Sequence, residues 1–86
     1  MGTGTRLNNE QVRHIKFIAE VLKIKGTYAI NKVSHYYADV YSKDYVTIFN
    51  LLKGNTYKNV ELYKAQQKEI DKLRVQVDLE RLSVLA

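Results

Sequence analysis

An amide and an ammonium side chain stand three residues apart in the segment "YVTIFNLLK", at Asn50 and Lys53. Asparagine pairs with the edge of adenine, and lysine bonds to guanine or to phosphate. Residues three apart are neighbours on the surface of a helix, so one helix face would present both groups. The same segment offers Tyr45, Val46 and Phe49, which could contact thymine methyl groups or, equally, a groove on a protein. This face therefore suits two kinds of partner.

Polar and basic residues flank the segment on both sides: Lys43, Thr47, Thr56, Tyr57 and Lys58. Hydroxyl and ammonium groups of this kind commonly hold a sugar-phosphate backbone. Tyr57 has a second interpretation, which we favour, as an aromatic side chain packed over the core of the fold.

Catalytic and metal-binding chemistry has little support in this sequence. His14 and His35 have neither a cysteine nor a second histidine at helical spacing, as a metal site would need. Ser34 precedes His35 directly, and adjacent side chains of a helix point apart. We therefore expect no enzymatic activity, no metal and no cofactor.

The charge of the chain is unevenly distributed. Its 86 residues are enough for one domain, and the formal net charge is +5. Basic residues outnumber acidic ones by five to two in residues 1–26 and by four to two in 27–59, whereas residues 60–86 hold five of each. This distribution favours an anionic partner for the first two-thirds and a different role for the last third. No cysteine, no signal-like start and no apolar run of about 18 residues are present, which predicts an intracellular, cytoplasmic protein without a membrane segment.

The absence of proline and the placing of the glycines predict an all-α fold. A first helix is expected over about residues 9–25, capped by Asn8 or Asn9 and ended by Gly26 in a left-handed conformation. Its apolar positions follow helical periodicity but extend beyond what a single neighbouring helix would cover.

Two short helices with a tight turn between them are expected next. The first of these helices could be capped by Thr27 or Asn31. Its apolar face consists of Ile30, Val33, Tyr37, Ala38 and Tyr41. After the polar "SKD", Asp44 is a suitable N-cap for a helix over about 44–53, which Gly54 would end. Two helices joined in this way form a helix-turn-helix corner.

The remaining residues, about 59–85, predict one long helix. Tyr63, Ile70, Val77 and Val84 recur every seven residues, with Leu73 between them, and we interpret this stripe as an oligomerisation surface. A second stripe on another side contains Val75, Leu79, Leu82 and Ala86. The helix could therefore fold back on the bundle or pair with a second copy, and we favour pairing.

Residues 33–60 resemble the helix-turn-helix of small phage and mobile-element DNA-binding proteins, a module that also occurs beside homing endonucleases. Ala38 matches the small residue at which the two helices cross, and Ser42 stands where the turn usually has glycine. In this family the second helix often ends in an eight-residue pattern: a basic residue, Gly, any residue, Thr, an aromatic residue, a basic residue, any residue and Val. The corresponding residues here are Lys53, Gly54, Asn55, Thr56, Tyr57, Lys58, Asn59 and Val60.

The resemblance implies a three-helix helix-turn-helix bundle over residues 8–58. The residues on either side are expected to form a flexible tail (1–7) and a C-terminal helix (59–86). It implies a sequence-specific transcriptional regulator, active in a bacterial host, that binds double-stranded DNA with residues 44–53 in the major groove. The pairing favoured for the C-terminal helix would make this regulator a homodimer. The alternative is a helix-turn-helix scaffold used as a protein-binding module, such as an anti-repressor or an inhibitor of a host or phage protein.

Overall fold

The structure is a computed structural model that describes residues 6–85, with side chains as far as residue 83. The described chain folds into four helices and contains no strand: α1 (Asn9–Lys25), α2 (Ile30–Val40), α3 (Tyr45–Lys53) and α4 (Lys64–Leu85). The predicted all-α fold with a long C-terminal helix is confirmed. Among these helices, none combines the length and the apolar character that crossing a bilayer requires.

Helix α1 begins and ends at the residues that its sequence predicts. The Asn8 side chain accepts from the Gln11 backbone N–H at 2.8 Å, and the Gln11 side chain accepts from the Asn8 N–H at 3.1 Å. This reciprocal capping box satisfies backbone donors that a helix start leaves free. Gly26 ends the helix at φ +78°, and its N–H is directed to carbonyls of the last turn.

The corner between α2 and α3 contains a serine in the left-handed conformation. Ser42 adopts φ +54°, which costs a non-glycine residue about 1 kcal/mol. The Lys43 N–H donates to the Ala38 carbonyl at 2.8 Å and closes the turn. Gly54 ends α3 at φ +82°, as predicted.

Of the N-caps predicted for the two short helices, the one for α2 is wrong and the one for α3 is at the predicted residue. Ala29, and neither Thr27 nor Asn31, occupies the N-cap of α2, without a side-chain hydrogen bond. Asn31 lies within the helix and accepts a hydrogen bond from the Tyr45 hydroxyl instead. Asp44 does occupy the N-cap of α3, but its carboxylate makes no capping hydrogen bond.

The core lies where α1, α2 and α3 meet, and it begins before the first helix. Its buried members are Leu7, Val12, Ile15, Val33, Tyr37, Ile48 and Leu51. Leu7 is only 6% exposed, which corrects the expectation of a tail over residues 1–7; residues 1–5 of that tail lie outside the described residues. An apolar side chain next to a capped helix start gains by folding onto the bundle rather than remaining in water.

Helix α4 begins at Lys64, five residues later than predicted, because the chain first crosses the side of α1 in a connector without helical structure. It then runs alongside α1 in the same direction, from Arg13 beside Tyr63 to Ile24 near Val77. The apolar positions of α1 that extend beyond what one neighbouring helix would cover therefore face α4.

Replacing Leu7 by Ala tests where the folded unit begins. We expect the free energy of unfolding to fall by about 2 kcal/mol or more, because a buried leucine loses its contacts and leaves a cavity. Urea denaturation measures this loss. The exposed Val40, changed to Ala, is the control and should stay within about 0.5 kcal/mol of the native chain. Equal effects for the two variants would contradict the placement of Leu7 in the core.

Candidate nucleic-acid interface

One side of α3 is open to solvent. Val46, Asn50 and Lys53 follow at spacings of four and three, so they line up along the helix. Val46 is 61% exposed, Lys53 is exposed and Asn50 is half-exposed. Ile48 and Leu51 lie on the opposite side, buried in the core. The open side therefore presents an apolar group, an amide and a cation in a row.

Tyr45 and Phe49 lie at the edge of this open side and are held by intramolecular contacts. The Tyr45 hydroxyl donates to the Asn31 side chain at 2.9 Å, and its ring lies 4.4 Å from that of His35. Its centroid is 5.5 Å from that of Phe49, whose ring has the Lys53 ammonium 5.5 Å away. Tyr45, predicted as a base contact, thus packs mainly against α2, whereas Phe49 supports the cation of the row.

A cleft lined by both polar and apolar groups adjoins α3 on the side of Thr47. It encloses about 520 Å³, and its lining consists of Arg6, Thr47, Thr56, Tyr57, Lys58, Asn59 and Val60. Four of the five residues predicted to contact a phosphate backbone are thereby brought together, and Lys43 is the exception. Arg6 is an addition that the sequence interpretation missed, because it was assigned to the tail. The available signal was a cation directly before an apolar residue and a helix cap.

The segment after α3, which we call the hook (residues 54–60), is fastened to α1. Its Tyr57 adopts φ +56°, and the Tyr57 hydroxyl accepts from the backbone N–H of Leu7 at 3.0 Å. The Lys16 ammonium donates to the carbonyls of Tyr57 and Val60, both at 2.7 Å. Burial lowers the pKa of Lys16, and the nearby Glu61 carboxylate opposes that shift. The favoured interpretation of Tyr57 as a packing residue agrees with its contact with the core.

A second cation of α1 holds the connector that follows the hook. Arg13 donates from Nε to the Glu61 carbonyl and from the guanidinium to the Tyr63 hydroxyl, both at 2.9 Å. Its guanidinium also lies 4.3 Å from the centre of the Tyr63 ring. Tyr63 donates in turn to Glu10, and this hydrogen bond raises the pKa of the phenol. Part of the positive charge of residues 1–26 thus has an internal, structural use.

The residues predicted for oligomerisation divide between two environments. Ile70 is 2% exposed within the single chain, and Leu73 and Val77 are half-buried beside Ile24 of α1. The helix spacing of this stripe was correct, but its neighbour is α1, so Ile70 cannot also bind a second copy. Tyr63 is bound to α1, as described above, and the side chain of Val84 lies outside the described residues.

The exposed apolar stripe of α4 is the other one, formed by Val75, Leu79 and Leu82. Successive helix residues are about 100° apart, which places Leu79 and the α1-facing Val77 on nearly opposite sides of α4. Leu79 is 59% exposed.

The histidine and the serine that catalysis or metal binding would use lie against other residues of the fold. His14 Nε2 is 3.1 Å from the Tyr37 hydroxyl, and burial raises the pKa of that phenol. Ser34 is fully buried within α2, and its hydroxyl has no hydrogen-bond partner among the described residues. Within those same residues, no three His, Cys, Asp or Glu side chains are grouped as a metal would require.

Comparison with protein-family models, with curated proteins and with solved structures finds no match to this chain.

Replacing Lys16 by Met tests whether the hook depends on the ammonium group. Methionine keeps an apolar stem of similar length but removes two charged hydrogen bonds, so we expect a loss of about 1–3 kcal/mol in the free energy of unfolding. Amide hydrogen exchange should also accelerate in the hook. Lys23 undergoes the same change as the control, and its exposed pair with Glu20 should be worth less than about 1 kcal/mol. Equal protection of the hook in both variants would refute the role of Lys16.

Proposed function

We propose that this protein binds double-stranded DNA sequence-specifically and acts as a transcriptional regulator of phage or mobile-element type. The observation that carries the proposal is the open side of α3, where Val46, Asn50 and Lys53 lie in a row. A helix of a helix-turn-helix corner that exposes such a row has the shape and the donors that the major groove accepts. Helix α4 packs along α1, and α3 has its main contacts with α2, so this row is left accessible.

The charge around α3 supports the same proposal. Lys53 and Lys58 are exposed at the end of α3 and in the hook, and Arg6, which is also exposed, lines the same cleft as Lys58. Lys43, in the corner, is half-exposed. Cations at both ends of a groove-reading helix would hold the phosphates on either side while the helix reads base edges.

Selection from random duplex DNA, followed by titration of the enriched sequence, tests the proposal. We expect Asn50→Ala and Lys53→Ala to weaken binding to the selected site, each losing about 1–3 kcal/mol of discrimination against a changed base pair. Asn9→Ala and Lys68→Ala are the controls, since both residues are exposed and lie on other helices. Failure of the native chain to enrich any sequence would overturn the proposal.

A protein partner for α3 is the second candidate, favoured by the exposure of Val46 and the half-exposed Phe49 beside it. Here α3 would fill an apolar groove of a host or phage protein. Salt dependence separates the two candidates, because phosphate contacts release counterions and weaken steeply with salt, whereas an apolar contact hardly changes.

We propose self-association through the exposed stripe of α4, since Ile70 is committed to the single chain. Val75, Leu79 and Leu82 would pack against the same residues of a second copy, as a two-fold interface requires. Two recognition helices held in this way would suit half-sites about 34 Å apart on one face of the duplex.

Light scattering of the native chain and of Leu79→Lys tests this interface. We expect twice the 10.0 kDa chain mass for the native protein and the single-chain mass for the variant, because a lysine in the middle of the stripe would bring two ammonium groups together. Gln67→Lys adds the same charge to an exposed position on another side of α4 and should keep the dimer. A native protein of single-chain mass would exclude self-association.

A further inference from the structure

We infer that the cleft beside α3 is a binding site for a phosphodiester group of the DNA backbone, and that Arg6 and Lys58 are its two cations. This inference rests on the proposed DNA binding and deepens it. It adds a residue from outside the helix-turn-helix and joins two distant parts of the chain in one site.

The chemistry of the cleft fits an anion that only accepts hydrogen bonds. The residues that line it include Arg6, Lys58, Thr47 and Thr56, whose side chains carry a guanidinium, an ammonium and two hydroxyl groups. None of the residues that line it is acidic. A phosphodiester has one negative charge and acceptor oxygens, and guanidinium, ammonium and hydroxyl groups are the side-chain partners that such oxygens most often have.

The position of the cleft suits a backbone phosphate rather than a base edge. Thr47 lies in the first turn of α3, on the flank next to the row that includes Asn50. With Asn50 against the base edges, that flank would meet the strand at the border of the groove. The positive end of the α3 dipole adds to the attraction for an anion near this turn.

The site is fixed by contacts that form before any ligand is bound. Leu7 is buried, and its N–H is held by the Tyr57 hydroxyl, so the residue before it, Arg6, starts from an anchored backbone. On the other side, the Lys16 ammonium holds the carbonyl of Tyr57, next to Lys58. Ordering these backbones in advance lowers the entropy that binding would otherwise cost.

The test is the salt dependence of binding to duplex DNA for native protein, Arg6→Gln, Lys58→Gln and the double variant. Thr47→Val is added to separate hydroxyl from charge. Lys68→Gln is the matched control, because it removes the same charge from an exposed position on α4. Affinity is measured by fluorescence anisotropy over a series of chloride concentrations, and circular dichroism verifies the helical fold of each variant.

We expect Arg6→Gln and Lys58→Gln to weaken binding at low salt by roughly fivefold or more and to make the slope of log affinity against log salt shallower. Loss of one phosphate contact removes about 0.9 from that slope. Because both cations serve one site, the double variant should lose less than the sum of the single effects. Thr47→Val should lower affinity without changing the slope, since a hydroxyl releases no counterion, and Lys68→Gln should stay within about twofold of native.

Two other results have different meanings. If native protein binds DNA with a steep salt dependence and the cleft variants behave like Lys68→Gln, the phosphate site is refuted while the proposed function stands. If native protein binds no duplex at low salt, the proposed function itself fails, and the site fails with it.

Discussion

The path of the chain between α3 and α4 is set by the Lys16 ammonium and the Arg13 guanidinium, both on α1. They bind backbone carbonyls of the hook and of the connector, at Tyr57, Val60 and Glu61. Because these carbonyls lie outside any helix, they need partners from elsewhere, and a charged donor makes the stronger kind of hydrogen bond. The connector is thereby drawn across α1, and α4 starts beside α1 rather than over α3. Access to the open side of α3 follows from this placement.

The same contacts change what the net charge of the chain means. Residues 1–26 carry a surplus of positive charge, yet the cationic groups of Arg13 and Lys16 donate hydrogen bonds to carbonyls of the same chain. The cations left exposed near α3 are Arg6, Lys53 and Lys58. A surplus counted along the sequence therefore overstates the charge offered to a partner, and the structure shows which cations face solvent.

Helix α4 has two apolar stripes, and the fold uses one of them. Ile70 is buried where α4 packs along α1, so this stripe is used within one chain. The second stripe, around Leu79, is exposed. A contiguous row of large exposed apolar side chains often marks an interaction site on a protein. This row is the surface through which we propose self-association.

Local chemistry was readable from the sequence alone. An asparagine cap before α1, the left-handed glycines at 26 and 54 and the helical periodicity between them depend only on neighbours in the chain. The number of helices and most of their ends could therefore be predicted. What required the tertiary structure depends on contacts across 40 residues or more: Leu7 in the core beside Tyr57, Arg6 in the cleft beside Lys58, and Ile70 against α1 rather than a second copy. A repeat of apolar residues predicts that a helix face will be covered, but it does not indicate which surface covers that face. Only the folded chain determines this partner, because removing apolar surface from water is favourable whichever apolar surface the connector brings close.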